Sequence, residues 1–197
     1  MFNVKLLLLL LLCSFSSFAW DDEPELDDDG NPIATANMAP EWQIKNRKTS
    51  LSSDALKGKP YVLHFWATWC PYCKRLQPGL ETIAQGYVKK GIDTYAVSFW
   101  ENPRAKPTKE MQSRELNFKV LERGDEVAKL FNVSSTPTTV FVNHRGEISF
   151  TYLLSDPNDP QLRLAYEALV KAKKDDERKA KEKREAEALA EQEAKNN

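Results

Sequence analysis

Cys70 and Cys73 stand three positions apart in the run Trp66-Ala67-Thr68-Trp69-Cys70-Pro71-Tyr72-Cys73-Lys74, directly after the apolar stretch Tyr61-Val62-Leu63-His64-Phe65. Between a buried strand and a helix, two thiols at this spacing suit redox chemistry. One of them falls at the helix N-terminus, where unpaired backbone N–H groups and the positive end of the helix dipole stabilise a thiolate. Its partner lies one turn further on. A stabilised thiolate is the nucleophile of disulfide exchange. Cys70, at the helix start, is expected to be exposed and to attack a substrate disulfide; Cys73, shielded, then resolves the mixed disulfide. Two plainer uses of the pair fit less well. A structural disulfide closing so short a loop constrains little of the unfolded chain. A zinc site would have to draw on His64 in the strand and His144 in a distant turn, a spacing unlike that of structural zinc sites. No metal and no cofactor is therefore expected.

The flanking sequence supplies the elements that such a site needs. Residues 61–66 are almost continuously apolar, as in a central strand covered on both faces. Pro71 suits a first helical turn, and the helix is predicted to run to about Lys90 and end at Gly91, with a kink at Pro78. Downstream, residues 92–99 read as a second buried strand, 106–116 as a helix, 118–121 as a short strand and 125–131 as a helix. Residues 138–143 and 147–152 form a hairpin through His144-Arg145-Gly146. Leu162, Tyr166, Leu169 and Val170 follow helical spacing. Upstream, short strand pieces at Trp42-Gln43-Ile44 and Thr49-Ser50-Leu51 precede a helical turn closed by Gly58. Strands alternating with helices and ending in a hairpin and a helix predict an α/β sandwich with a central mixed sheet.

Composition bounds the setting. The chain has 197 residues, 41% of them hydrophobic, and a formal net charge of −1, which gives no footing for nucleic-acid binding. Lys5, the leucines at 6–12 and small residues at Ser17 and Ala19 describe a signal peptide over residues 1–19, the apolar block being short for a membrane span of about 20 residues; an uncleaved anchor is the alternative. Cys13 would leave with that segment, so the exported chain keeps only the Cys70–Cys73 pair. Residues 21–29 hold seven acidic residues and no basic one, so residues 20–38 read as an acidic disordered linker. A globular domain over residues 39–172 follows. Residues 171–197 carry nine basic and eight acidic residues with Leu189 as the one large aliphatic, so residues 173–197 read as a charged tail, helical or disordered, without a coiled-coil seam.

Taken together, these residues resemble the exported thioredoxin-like reductases of bacteria, the TlpA/ResA/DsbE group, over residues 39–172. The matching runs are Ala39-Pro40-Glu41-Trp42, Leu56-Lys57-Gly58-Lys59-Pro60, Phe65-Trp66-Ala67-Thr68-Trp69-Cys70, Thr136-Pro137-Thr138-Thr139-Val140-Phe141-Val142-Asn143 and Gly146-Glu147-Ile148. The resemblance implies a thioredoxin-like fold with an inserted helix and strand, which residues 106–121 would supply. It implies that Pro137 is a cis-proline facing the cysteines and keeping metal ions from them, and that Thr136 pairs through its backbone with an extended substrate. It also places Glu101 where the group often has a glutamate. His64 departs from thioredoxins proper, which have a buried aspartate there; it is a candidate proton acceptor for Cys73, with Glu101 as the other. The bland readings are a satisfied core histidine and a solvated loop carboxylate. Trp69 is expected to shield the thiols and shape the substrate surface. Pro71 and Tyr72 tune thiolate stability, and this Pro-Tyr pair, which appears in glutaredoxins, departs from the pairs more usual in the group.

The expected function is a periplasmic thiol–disulfide oxidoreductase, acting as a monomer and reducing disulfides of exported proteins. By resemblance, the clients are apocytochrome c or similar thiol proteins and the electrons come from a membrane thiol reductase. The rivals are a disulfide-donating oxidant, a thiol peroxidase and a non-enzymatic module for metal or client binding. Copper-delivery relatives use a wider cysteine spacing, and no separate dimerisation domain supports an isomerase.

Overall fold

The computed structural model describes residues 37–45 and 50–195. The expected signal peptide and nearly all of the acidic linker lie outside the described residues. A short antiparallel pair, β1 (Gln43–Lys45) and β2 (Ser50–Ser52), leads through a 3₁₀ turn at Asp54–Leu56 into β3 (Tyr61–Trp66). Then follow α1 (Pro71–Val88), β4 (Asp93–Ser98), α2 (Pro107–Ser113), β5 (Lys119–Leu121), α3 (Asp125–Leu130), β6 (Thr138–Val142), β7 (Ile148–Tyr152) and α4 (Pro160–Lys195). The five-stranded sheet has the order β5-β4-β3-β6-β7. β3, β4 and β5 run parallel, whereas β6 is antiparallel to β3 and β7 antiparallel to β6. This is the mixed-sheet thioredoxin-like sandwich.

β3 is central, and all six of its residues are buried. Alternation along the pleat divides them. Val62 and Trp66 join the core beneath α1 and α4, with Leu76, Leu80, Tyr87, Tyr166 and Leu169. Tyr61, Leu63 and Phe65 join the opposite core, with Trp42, Val97 and Val127. Aromatic packing ties the first core together, with Tyr166 stacked on Tyr87 at 4.8 Å and edge-on to Phe141 at 5.1 Å. The parallel register Trp66↔Ser98 and the antiparallel register Phe65↔Thr138 bring the C-terminal ends of β3 and β4 beside the start of β6. The redox loop, Glu101 and Pro137 therefore emerge at one end of the sheet.

Helix ends explain the differences from the sequence reading. α1 closes on Gly91 at φ +80, with Ile92 N–H on the Tyr87 carbonyl and Gly91 N–H on that of Val88, a Schellman turn. α2 stops at Ser113, short of the predicted Leu116, because Glu115 takes φ +56. Its N–H reaches Gln112 and that of Leu116 reaches Met111, both at 3.0 Å. This is the same closure on a residue without glycine's freedom, so no glycine announces it. α4 is 36 residues long and continues through the charged tail to Lys195, where Arg178–Glu182 and Lys181–Glu185 pairs one turn apart line its exposed surface. Among the described residues, no helix is long and apolar enough to cross a membrane.

Candidate active site

Cys70 and Cys73 are joined in a disulfide, with Cα atoms 5.4 Å apart. β3 ends at Trp66, and a tight turn carries the chain to Cys70, whose N–H donates to the Ala67 carbonyl at 3.1 Å. Cys70 is the N-cap of α1: its backbone is extended and its Sγ accepts a hydrogen bond from the Cys73 N–H at 3.0 Å. Pro71 fills the first helical position, where a missing N–H costs nothing. The capping atom is thus the sulfur itself, in the place usually held by a serine or aspartate oxygen. Negative charge on that sulfur meets an orphan amide and the positive end of an 18-residue helix.

The expectation that Cys70 is exposed requires correction. Its exposure is 1%, against 0% for Cys73. In the disulfide form the Sγ is bonded to its partner and turned onto the first helical turn instead of standing out in solvent. What distinguishes the two cysteines is the helix position, cap against third residue, and not accessibility.

Glu101 does not turn to the cysteines. Its carboxylate accepts from the Thr68 N–H at 2.8 Å and the Thr68 hydroxyl at 2.6 Å, fastening the loop two residues before Cys70. Both of these are charge-assisted bonds. Trp69 makes the next cross-link, donating its indole N–H to the Trp100 carbonyl at 2.7 Å, and Trp100 N–H donates to Asp125 Oδ1 at 2.9 Å. Trp100 adopts φ +52, a conformation uncommon for a bulky residue. Trp69, Tyr72 and Trp100 are each about half exposed. They leave apolar surface around the redox loop. Tyr72 also lies under the Arg75 guanidinium, which binds Ser155 in the β7–α4 loop. Trp100 and Asp125 are absent from the sequence-derived site, since neither a left-handed tryptophan nor a pairing across 25 residues leaves a local signal.

His64 is fully buried, and desolvation holds its pKa at about 3. Both ring nitrogens are engaged: Nδ1 lies 2.9 Å from Thr139 Oγ1 and Nε2 lies 3.4 Å from Gln77 Nε2. Arg114 donates to Gln77 Oε1, which turns the amide NH₂ toward the imidazole. Nε2 is therefore the acceptor and Nδ1 carries the hydrogen, donated to Thr139. The imidazole also stacks over Phe118. Of the two readings for this residue, the geometry matches a satisfied core histidine.

The Thr136–Pro137 peptide bond is cis, as the resemblance implies. Thr138 Oγ1 donates to the Ser135 carbonyl at 2.8 Å, holding the turn that precedes β6. An open groove of about 630 Å³ runs from Thr68 and Trp69 along α2, lined by Arg104, Lys106, Lys109 and Glu110. Glu110 is paired with Lys74 at 2.8 Å. Arg104, Lys106 and Lys109 form no ion pair among the described residues, so the groove is cationic.

The model of the AhpC/TSA family matches residues 35–151. Among curated proteins, the thiol-disulfide oxidoreductase ResA of Oceanobacillus iheyensis is 32% identical over 130 residues, covering 62% of this chain and 67% of its own. ResA of Geobacillus thermodenitrificans is 28% identical over 150 residues, covering 74% and 82% respectively. Among solved structures, a thiol:disulfide interchange protein of the thioredoxin family from Chlorobium tepidum superposes with a TM-score of 0.59 at 21% identity, over 70% of this chain and 98% of that one. StoA from Bacillus subtilis gives 0.52 at 22% identity, over 66% and 98%. These structural likenesses carry the fold; the sequence relatives carry the chemistry.

Proposed function

This chain belongs to the AhpC/TSA family and is a thioredoxin-like thiol–disulfide oxidoreductase, and from that premise we propose that Cys70 and Cys73 are its working pair and that it reduces disulfides in exported proteins. The observation that carries this reading is the Cys70 Sγ acting as N-cap of α1, hydrogen-bonded by the Cys73 amide. In the reduced protein the Cys70 thiolate attacks one sulfur of a client disulfide, forming a mixed disulfide and releasing the other client sulfur as a thiolate. Cys73, deprotonated, attacks Cys70 Sγ, forming the intramolecular disulfide and releasing the second client thiolate. Two electrons pass to the client, and a membrane thiol donor restores the dithiol. Pro137 and the backbone of Thr136 offer the client an edge. Trp69, Tyr72 and Trp100 give it apolar contact, while Pro71 and Tyr72 set thiolate stability. Glu101 supports the loop through Thr68. The leader-like residues 1–19 support export to the periplasm, with the charged stretches at 20–38 and 173–197 flanking the catalytic domain. Apocytochrome c is the client class that the resemblance favours.

The test is the reduction potential of the pair in glutathione or dithiothreitol buffers, together with Cys73→Ser trapping of mixed disulfides. A potential near the thioredoxin value of about −270 mV supports a reductant, and one near about −120 mV makes the protein a disulfide donor. A thiol peroxidase is the rival that the same dithiol and fold would also allow. Stoichiometric consumption of peroxide by the dithiol, faster than that of a client disulfide, would select it.

A further inference from the structure

Pro78 lies inside α1 and has no N–H, so the Lys74 carbonyl, four residues earlier, loses its intrahelical donor. Lys74 follows Cys73 directly, which puts the defect in the redox helix's first two turns. The carbonyl is not left empty. Arg114 Nη2 donates to it at 2.8 Å, while Nη1 of the same guanidinium donates to Gln77 Oε1. Arg114 is the C-cap residue of α2, aimed by the left-handed turn at Glu115. From the same helix, Glu110 holds the Lys74 ammonium at 2.8 Å. Residue 74 is therefore gripped by α2 through both its carbonyl and its side chain. Through Gln77 the grip continues to His64 and Thr139, so one connected polar chain crosses from α2 through α1 and β3 to β6.

We propose that Arg114 is a positioning residue for the redox pair: its guanidinium replaces the amide hydrogen that Pro78 lacks, fixes the first turns of α1 and brings a positive charge to the carbonyl of the residue that follows Cys73. An ordinary residue at 78 would satisfy the carbonyl within α1 and tie it to nothing else. With proline there, the carbonyl is handed to a side chain of the inserted helix, and a displacement of α2 is transmitted to the turn that caps on sulfur. The inserted helix thereby sets thiol reactivity as well as bordering the cationic groove. Charge-assisted hydrogen bonds are the stronger kind, and a neutral donor would supply the geometry without the field.

The experiment is a double-mutant cycle of Arg114→Met and Pro78→Ala, with Arg114→Lys as the conservative variant. Urea unfolding of the oxidised protein and thiolate absorbance of the reduced protein against pH are measured for each. In the natural background, Arg114→Met should lower the folding equilibrium constant roughly tenfold, since it orphans a carbonyl and an amide oxygen. In the Pro78→Ala background the loss should fall to about a third of that or less, because the new backbone N–H takes over the carbonyl. Arg114→Met should also raise the Cys70 thiol pKa by about half a unit, roughly a threefold loss of thiolate below it, and Arg114→Lys should restore most of that shift without restoring the stability. Equal losses in both backgrounds would overturn the substitution of guanidinium for amide. An unmoved thiolate titration would overturn the positioning role and leave a brace. The inference rests on Cys70 as the attacking thiol, but the coupling of positions 78 and 114 is read from unfolding alone. Failure of the natural protein to reduce any client disulfide would strike the functional reading and leave that coupling intact.

Discussion

Acid should destabilise this fold through one residue in particular. His64 is buried and neutral, with its pKa held at about 3 by desolvation against an ordinary value of 6.5. The unfolded chain protonates this imidazole as pH falls through 6.5, while the folded protein does not until about pH 3. Between those values the unfolded state binds one proton more, so stability is fully present above 6.5 and is lost on acidification. The slope is about 1.4 kcal/mol for each pH unit, or about 2 kcal/mol by pH 5 and about 5 kcal/mol by pH 3. Against a total stability of roughly 5–15 kcal/mol for a domain, that is enough to dominate acid unfolding.

The perturbation is His64→Asn, which keeps a donor toward Thr139 and cannot be charged. It should cost about 1–3 kcal/mol at pH 7, because the Gln77 NH₂ loses its acceptor. Its pH dependence should be shallower than that of the natural protein by about 1.4 kcal/mol per unit between pH 6 and pH 4. Urea unfolding at fixed ionic strength across that range measures both quantities, with the midpoint compared at constant m-value. Glu147 and Asp176, whose carboxyl pKa values are lowered chiefly by hydrogen bonds from Arg145, add acid sensitivity of their own, but equally in both proteins, so the difference isolates His64. His64→Gln serves if the asparagine variant does not fold. Parallel curves for the natural protein and either variant would refute a neutral buried imidazole.

Glu101→Ala should destabilise the oxidised protein by roughly 2–4 kcal/mol in urea unfolding, from two charge-assisted bonds to Thr68. Glu101→Gln, which can still pair with both Thr68 atoms, should lose about 1 kcal/mol and keep most client turnover; a loss beyond a hundredfold at unchanged stability would instead make Glu101 a proton carrier. Reversing Lys106 and Lys109 to glutamate should cut kcat/KM about tenfold at low salt for peptide disulfides flanked by acidic residues, and less as salt rises. Peptides with basic flanks should gain, and equal effects on both would remove the groove from client selection. Gly79→Ala should lower the thermal midpoint, at about 1–3 kcal/mol, because a Cβ there would strike the carbonyl and side chain of Pro157; an unchanged midpoint would mean that the β7–α4 loop is free to move away.

The parts of this molecule legible in the sequence are those whose causes are local. β3 is readable because Tyr61–Trp66 is uninterrupted by polar residues apart from His64. α1 is readable because Pro71 opens it and Gly91 closes it, and the cysteine pair lies at that junction. The mixed-sheet α/β sandwich follows from the order of these elements, and its thioredoxin-like character from the resemblance of the motifs they carry. The polar ties that hold the site are non-local, and their partners carry no sequence mark. Thr68 lies 33 residues from Glu101, and Lys74 lies 40 from Arg114. Trp100 at φ +52 and Glu115 at φ +56 turn the chain where the sequence offers no glycine. The exposure of Cys70 is misjudged for another reason: position at a helix start fixes the direction of the dipole, not which atoms cover the sulfur.

These ties bear on where the proton of Cys73 goes during resolution of the mixed disulfide. The two side chains that sequence reasoning offers as acceptors are both engaged elsewhere. His64 receives a hydrogen from Gln77 at its one basic nitrogen and, with its pKa at about 3, has little affinity for another. Glu101 has both oxygens on Thr68. The helix terminus favours the thiolate that caps it without accepting a proton. The base that the reaction itself supplies is the first client thiolate, released beside the pair when Cys70 attacks, with an ordinary thiol pKa near about 8.5. It is a stronger base than the buried imidazole, whose pKa is held at about 3. The protein's contribution is then to favour the Cys70 thiolate at the helix cap, and the client's leaving sulfur completes the transfer, so clients with more basic leaving thiols should assist resolution even as they slow the attack that releases them.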